Sequence, residues 1–212
     1  MKVIIPDHPL LGHKLTQLRD GATDGPTFRR LARELITLLA YEATRALRTE
    51  QAEIQTPVSA TTGVKLCMPA PFVVPVLRAG LGLLEGFLQI LPEADVGFLG
   101  IARDEHSLMP SIYSERLPRS LEGRQVFVLD PMLATGGTLT VTTHLMFERK
   151  AQDVTCVCLL ASPEGVAAMK RAFEGGEHSV RIVTASIDRG LNQKGYIVPG
   201  LGDAGDRLYG NI

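Results

Sequence analysis

The segment from Val126 to Thr138 combines an apolar run, one carboxylate and a glycine-rich turn. Val126 to Leu129 predicts a short strand buried on both faces, and Asp130 then places a carboxylate at its carboxyl end. The following residues are small and include two glycines, and a helical pattern begins directly after them. A strand, a small-residue loop and a helix start form the arrangement that binds a phosphate through main-chain N–H groups.

Each residue type in this loop suits one part of a sugar phosphate. The hydroxyls of Thr135 and Thr138 can face phosphate oxygens, while Gly136 and Gly137 let the main chain approach without a Cβ in the way. Asp130 would repel the phosphate, so we expect it to bind hydroxyl groups of the sugar. A glycine-rich turn that binds nothing is the alternative for the Thr-Gly-Gly-Thr string taken alone.

The longer string Asp-Pro-Met-Leu-Ala-Thr-Gly-Gly resembles the loop with which type I phosphoribosyltransferases bind 5-phosphoribosyl-1-diphosphate (PRPP). Most of that family has two adjacent acids here, whereas Pro131 follows Asp130 in this chain, a form seen in the uracil branch. The resemblance implies that PRPP contacts Asp130 and the whole loop after it: Pro131, Met132, Leu133, Ala134, Thr135, Gly136, Gly137 and Thr138.

Two arginines follow earlier predicted strands. Arg78, within Leu-Arg-Ala-Gly, comes after the apolar run Phe72 to Leu77, and Arg103 follows the next strand. A guanidinium group offers paired donors to a diphosphate, although a plain surface arginine is the alternative in each case. The resemblance assigns both arginines to PRPP and gives Arg103 a catalytic role. Ala102 and Arg116 depart from the tyrosine and lysine usual in the family.

The tail from Tyr196 to Arg207 packs three glycines and two acids into twelve residues. Each glycine within a helix or strand destabilises it by about 0.5–1 kcal/mol relative to alanine. This composition therefore favours a loop with a demanding main-chain path. Main-chain groups can complement uracil, whereas cytosine would leave buried polar groups unpaired at a cost of about 1–3 kcal/mol. An ordered, turn-rich terminus without a ligand is the alternative.

The tail also resembles the carboxyl-terminal signature of the uracil phosphoribosyltransferases. That resemblance implies a uracil site at Ile197, Gly202, Asp203 and Ala204. It also implies that Asp203 reaches PRPP, and Asp203 is the candidate general base by position.

Composition limits the class of protein. The 212 residues suit one domain, 45% of them are hydrophobic, and a formal charge of −1 offers no basic surface for nucleic acid. Of the three cysteines, Cys156 and Cys158 lie two apart in a predicted strand, which favours buried thiols over a metal site. We find no signal peptide or membrane-spanning run, so we expect a cytoplasmic protein.

The remaining pattern predicts an α/β fold. An amphipathic helix starts near Thr27 as its cap, and Glu53 to Leu66 predicts an antiparallel hairpin turning near Thr61-Thr62-Gly63. From Pro71, strands alternate with helices, which predicts a mostly parallel sheet with helices on both faces. Pro75 indicates an edge strand or an irregularity. Ser107 to Ser120 is expected to form a long loop, and Ser162 to cap a helix.

The resemblance implies a type I phosphoribosyltransferase fold over residues 1–212, with a twisted, mostly parallel sheet. Its core would span about 67–185. A hood would combine about 186–212 with the amino-terminal segment, and a β-hairpin would form an arm.

The activity implied is transfer of the phosphoribosyl group of PRPP to N1 of uracil, giving UMP and diphosphate, with Mg²⁺ bound mainly through PRPP and no dedicated protein metal site. Family members form dimers or larger assemblies, and some respond to GTP. Three alternatives stay open: a PRPP-binding regulator of pyrimidine genes, a transferase for another base, and an inactive PRPP-binding subunit.

Overall fold

The computed structural model describes residues 1–103 and 110–210, without the side chains of Arg103 and Pro110. Its helices and strands are mixed along the chain. In order they are β1 (Lys2–Ile4), α1 (Pro9–Arg19), α2 (Gly25–Ala43), β2 (Thr49–Gln55), β3 (Ala60–Leu66), β4 (Phe72–Leu77), α3 (Leu81–Leu88), β5 (Asp95–Val96), β6 (Phe98–Arg103), β7 (Pro110–Arg116), β8 (Gln125–Leu129), β9 (Met132–Leu133), α4 (Gly137–Glu148), β10 (Asp153–Ala161), α5 (Pro163–Ala172), β11 (Ser179–Ile187), β12 (Gly190–Leu191), β13 (Ile197–Val198) and α6 (Ala204–Tyr209).

The central sheet has the strand order β1-β11-β10-β8-β4-β6-β7, with β5 beside β4 and β9 beside β10. Only β7 pairs antiparallel within it, against β6. The expected α/β fold with a mostly parallel sheet is therefore confirmed. The chain runs outward from β4 in both directions, so the order reverses between β4 and β8. Ligands of open α/β sheets bind at the carboxyl ends of the strands at such a reversal.

Two apolar clusters cover the two faces of this sheet. Alternation along β8 sends Phe127 and Leu129 towards α1, α2 and α3, while Val126 and Val128 face α4 and α5. All four side chains are at most 1% exposed, which confirms a strand buried on both faces. The thiols of β10, at positions 156 and 158, are buried on the α4–α5 face, as expected.

Several local predictions were wrong. Helix α2 begins three residues earlier than expected: Asp24, and not Thr27, is the cap, and its side chain accepts a hydrogen bond from the N–H of Thr27 (2.9 Å). Pro26 in the first turn also fixes this start. The hairpin of β2 and β3 exists, but it turns at residues 56–59, where Thr56 and Ser59 exchange hydrogen bonds.

The long loop expected from Ser107 to Ser120 was wrong for residues 110–116 and is confirmed for residues 117–120. Residues 110–116 form β7, a polar strand paired with β6 through a register shift, and residues 107–109 lie outside the described part of the chain. Pro75 is not on an edge strand, because β4 lies between β8 and β6. It does mark an irregularity, since β4 pairs with β5 before this residue and with β6 after it.

None of the helices in residues 1–103 and 110–210 has the length and apolar character needed to cross a bilayer.

Close contact of α3 with α2 depends on Gly86. A Cβ at Gly86 would lie 2.5 Å from the carbonyl oxygen of Arg33 and from Ile36 Cγ2. We expect Gly86→Ala to lower the free energy of unfolding by about 1–3 kcal/mol, because the two helices must move apart. Urea unfolding measures this, and Gly12→Ala is the control.

Gly12 lies in α1 with nothing within 4 Å of an added Cβ. Gly12→Ala should therefore raise stability by about 0.5–1 kcal/mol through helix propensity alone. Equal effects of the two alanines would contradict the role of close helix packing.

Candidate active site

Three candidate residues follow the carboxyl ends of three adjacent parallel strands. Asp130 follows β8, Arg78 follows β4, and Arg103 is the last residue of β6. The side chain of Arg103 is outside the described part of the structure. The sheet thus brings the predicted PRPP residues to one edge, on both sides of the reversal between β4 and β8.

The loop after β8 is fixed to the neighbouring strand rather than projecting freely. The carbonyl of Pro131 accepts from the N–H groups of Leu159 (2.9 Å) and Leu160 (3.1 Å), and the carbonyl of Leu133 accepts from the N–H of Ser162 (2.9 Å). These bonds include β9 in the sheet beside β10. The direction of the following residues is therefore set by the sheet.

Helix α5 holds the second half of the loop. Ser162 caps α5 by accepting from the N–H of Gly165 (2.9 Å), as expected, and its hydroxyl also donates to the carbonyl of Ala134 (2.6 Å). Gly136 has φ +86°, and a Cβ there would lie 2.9 Å from the Cβ of Ala168. Glycine is required here for both conformation and packing.

Residues 130 and 132–139 enclose a small cavity of about 40 Å³ at the start of α4. Gly136 caps this helix, and Gly137 and Thr138 are in its first turn. Main-chain N–H groups at a helix start attract anions. Every predicted loop residue except Pro131 lines this cavity, and the carbonyl of Pro131 faces β10.

Asp130 lies partly buried at the entrance to this loop. Burial raises the pKa of its carboxyl to about 7, against a weaker opposing effect of the N–H of Met132, which lies 3.5 Å from Oδ1. The Asp130 carboxylate at the end of this apolar strand therefore receives no strong hydrogen bond from the described residues. Sugar hydroxyls would supply such donors.

The Arg78 loop lies directly beside the loop after β8. A Cβ at Gly80 would lie 2.6 Å from main-chain atoms of Val76 and still closer to the carbonyl of Leu129. Only glycine fits, because the main chain turns tightly at this point. Arg78 follows a cis peptide bond from Leu77, and its side chain is exposed.

The tail forms a second, larger cavity of about 320 Å³. All four predicted uracil residues, Ile197, Gly202, Asp203 and Ala204, line it. Asp203 caps α6 by accepting from the N–H of Asp206 (3.0 Å). Lys194, Gly195 and Tyr196 also line this cavity, and the sequence prediction did not include them.

The two cavities share Met132 and Ala134. The predicted phosphate loop and the predicted base-binding tail therefore adjoin, although about 60 residues separate them in the chain. This arrangement can hold a phosphorylated sugar and a flat heterocycle next to each other.

Arg207 is a structural residue of the tail whose role the sequence did not reveal. Its guanidinium group donates to the carbonyls of Leu18 (2.7 Å) and Leu201 (3.0 Å) and lies 4.3 Å from the ring centre of Phe28. Leu18 is 189 residues away in the chain, so no local motif could predict this contact.

The described residues contain no group of three or more His, Cys, Asp or Glu side chains arranged to hold a metal ion. A Mg²⁺ ion that keeps its waters and binds through substrate phosphates needs few protein ligands, and the Asp130 carboxylate beside the cavity is compatible with that mode.

Residues 5–211 match the family model described as uracil phosphoribosyltransferase. The chain belongs to the uracil phosphoribosyltransferase family. A uracil phosphoribosyltransferase from a Nocardioides species is 60% identical over 212 residues, and the alignment covers 100% of both chains. One from Streptomyces griseus is 61% identical over 210 residues, with 99% of each chain covered.

Solved structures share the fold of this chain. A protein from Aquifex aeolicus has a TM-score of 0.91 at 42% identity, with 98% of each chain covered. A hypoxanthine-guanine phosphoribosyltransferase from Bacillus anthracis has a TM-score of 0.53 at 12% identity, covering 77% of this chain and 82% of its own, and shares the fold. The type I phosphoribosyltransferase fold is thereby confirmed.

Asp130→Asn should stabilise the substrate-free protein at high pH. The folded-state pKa of about 7 lies above the ordinary value of 3.8, so the folded protein binds more protons between these values and loses stability as pH rises. At pH 8 we expect the asparagine variant to be more stable by on the order of 1–3 kcal/mol, with the difference vanishing near pH 4. Urea unfolding at both pH values measures this.

Asp188→Asn is the contrasting control. Burial raises the pKa of Asp188, but hydrogen bonds from Arg19 and the N–H of Gly200 outweigh it and leave the pKa below its ordinary value. This variant should lose stability at pH 8. An Asp130→Asn protein that is equally destabilised at pH 8 would show that the Asp130 carboxylate is not strained by burial.

Proposed function

We propose that this protein transfers the phosphoribosyl group of PRPP to N1 of uracil, giving UMP and diphosphate. The observation that carries the proposal is the contact between the two cavities through Met132 and Ala134. In a chain of the uracil phosphoribosyltransferase family, this contact supports a phosphate site next to a base site. Pyrimidine salvage follows from this reaction.

The PRPP molecule would span the edge of the sheet. Residues 134–138 of the loop would bind the 5′-phosphate through main-chain N–H groups, and Asp130 would accept hydrogen bonds from the ribose hydroxyls. Arg78 and Arg103 would bind the diphosphate: Arg78 follows β4, which lies directly beside β8, and Arg103 ends β6, the next strand beyond β4.

Uracil would bind in the 320 Å³ cavity against Ile197, Gly202, Asp203 and Ala204. Main-chain groups of the tail would pair with its carbonyls and its N3–H. Asp203 is exposed and lies at the edge of this cavity, where it can also reach PRPP and accept a proton. In this proposal, residues 186–210 and the amino-terminal segment form a hood over the core of residues 67–185.

Catalysis would consist mainly of positioning and charge neutralisation. The ribose carbon develops positive character as the diphosphate leaves, and Arg78 and Arg103 would stabilise the departing negative charge. Mg²⁺ would arrive bound to PRPP and supply further neutralisation of the diphosphate. The loop and Asp130 would hold the phosphate and the ribose in place. N1 of uracil would then attack the ribose carbon from the face opposite the departing diphosphate.

Family membership also motivates three wider proposals. The protein would act in the cytoplasm, assemble into a dimer or a larger homo-oligomer, and respond to GTP as an effector. Light scattering with and without GTP, together with initial rates, tests the last two.

Purified protein with PRPP and Mg²⁺ should form UMP from uracil. Separation of the nucleotides after the reaction measures the UMP formed. The rate with uracil should exceed the rates with cytosine and hypoxanthine by at least about 100-fold, because the wrong base leaves buried polar groups unpaired. Binding of PRPP without UMP formation would contradict the proposal and favour a regulator or an inactive subunit. Preference for another base would contradict the role of the tail.

Arg103→Ala should reduce kcat by about 10²-fold or more while leaving Tm within about 2 °C of the parent, because it removes stabilisation of the leaving group. Arg45→Ala is the matched control, since Arg45 is an exposed arginine paired with Glu42. A turnover of Arg103→Ala equal to that of the control would refute the assigned role.

A further inference from the structure

Arg19 and Asp188 form an ion pair at the back of the tail. Arg19 lies at the end of α1 and donates to both carboxylate oxygens of Asp188, at 2.5 Å and 2.6 Å. Ser186 donates to the same carboxylate (3.3 Å). The Asp188 side chain is 3% exposed and that of Arg19 is 22% exposed, so this pair lies largely inside the protein.

The ion pair binds both polar main-chain groups of Gly200. Asp188 Oδ2 accepts from the N–H of Gly200 (2.9 Å), and Arg19 donates to the carbonyl of the same residue (2.9 Å). Gly200 has φ +64°, and an added Cβ would collide with the carbonyl of Ile197. This residue is therefore held in a conformation that only glycine adopts easily.

Gly200 lies between the parts of the tail that form the candidate uracil cavity. Ile197 precedes it by three residues, and Gly202 follows it by two, and both line the cavity. The ion pair itself does not line that cavity. A shift of Gly200 would therefore displace the base-binding main chain without changing any atom that contacts the base.

Burying an ion pair is a poor means of stabilising a fold, because desolvation offsets most of the attraction. Bidentate geometry and added main-chain bonds do fix the orientation of the groups involved. Arg207 also holds this segment, by donating to the carbonyl of Leu201. Two arginines thus fix the tail between α1 and β11.

We infer that Arg19 and Asp188 are positioning residues for uracil: they act through Gly200 to set the main-chain donors and acceptors that recognise the base. The inference rests on the proposed function. It predicts that damage to the pair impairs uracil binding selectively, whereas the PRPP loop, which is held by β10 and α5, is unaffected.

Arg19→Ala tests this by steady-state kinetics with each substrate varied. We expect KM for uracil to rise about 10-fold or more, since a charged group loses its partner and the main chain relaxes. KM for PRPP should change less than about twofold. Arg19→Lys keeps one charged donor without the bidentate geometry and should give an intermediate KM for uracil.

Arg181→Ala is the matched control. Arg181 pairs with Asp153 at 2.7 Å, and the two side chains are 17% and 14% exposed. That pair lies at the amino-terminal ends of β10 and β11, away from the candidate site. The control should lose stability but keep both KM values.

Failure of the inference is distinguishable from failure of the proposed function. Parent protein that forms no UMP contradicts the function itself. Parent protein that forms UMP, with an Arg19→Ala variant whose KM for uracil is unchanged or rises together with KM for PRPP, overturns the inference.

A matching rise in KM for uracil in Arg181→Ala would also overturn the inference, because it would show a general effect of lost stability. If Arg19→Ala does not fold, Asp188→Asn decides the matter by the same ratio of KM values.

Discussion

The main-chain hydrogen bonds between the loop after β8 and strand β10 are the constraint on which the rest of the structure depends. Through the carbonyl of Pro131 and the strand β9, the sheet continues past Asp130 and directs the next residues towards the start of α4. The hydroxyl of Ser162, the cap of α5, then donates a hydrogen bond to the carbonyl of Ala134. The proposed phosphate site would need no rearrangement to form, because its N–H groups belong to this fixed framework.

The same framework explains why the site contains strained elements. Asp130 has a raised pKa because it stands at the end of an apolar strand, and Gly136 adopts a positive φ against α5. Burial of the Asp130 carboxylate costs stability and the Gly136 conformation excludes other residues, and both features lie where the proposed substrates bind. The two buried apolar clusters on either side of the sheet provide the compensating stability.

Sequence reasoning identified the parts whose signals are local. The apolar run Val126–Leu129, the glycine turn before α4 and the Ser162 cap are each encoded by neighbours in the chain. The strand Pro110–Arg116 was missed because it is polar and pairs irregularly at the edge of the sheet. The start of α2 was misplaced because both Asp24 and Thr27 can cap a helix, and Pro26 favours the former.

Long-range contacts could not be predicted at all. Arg19 and Asp188 are 169 residues apart, and nothing in either local sequence indicates a partner. The adjacency of the tail and the phosphate loop was expected only through a resemblance, and the shared lining of their cavities now gives it a geometric basis.

A crystal structure with bound UMP tests this account most directly. We predict the 5′-phosphate on residues 134–138 and the pyrimidine ring against Gly202, and a ring bound away from the tail would contradict the account.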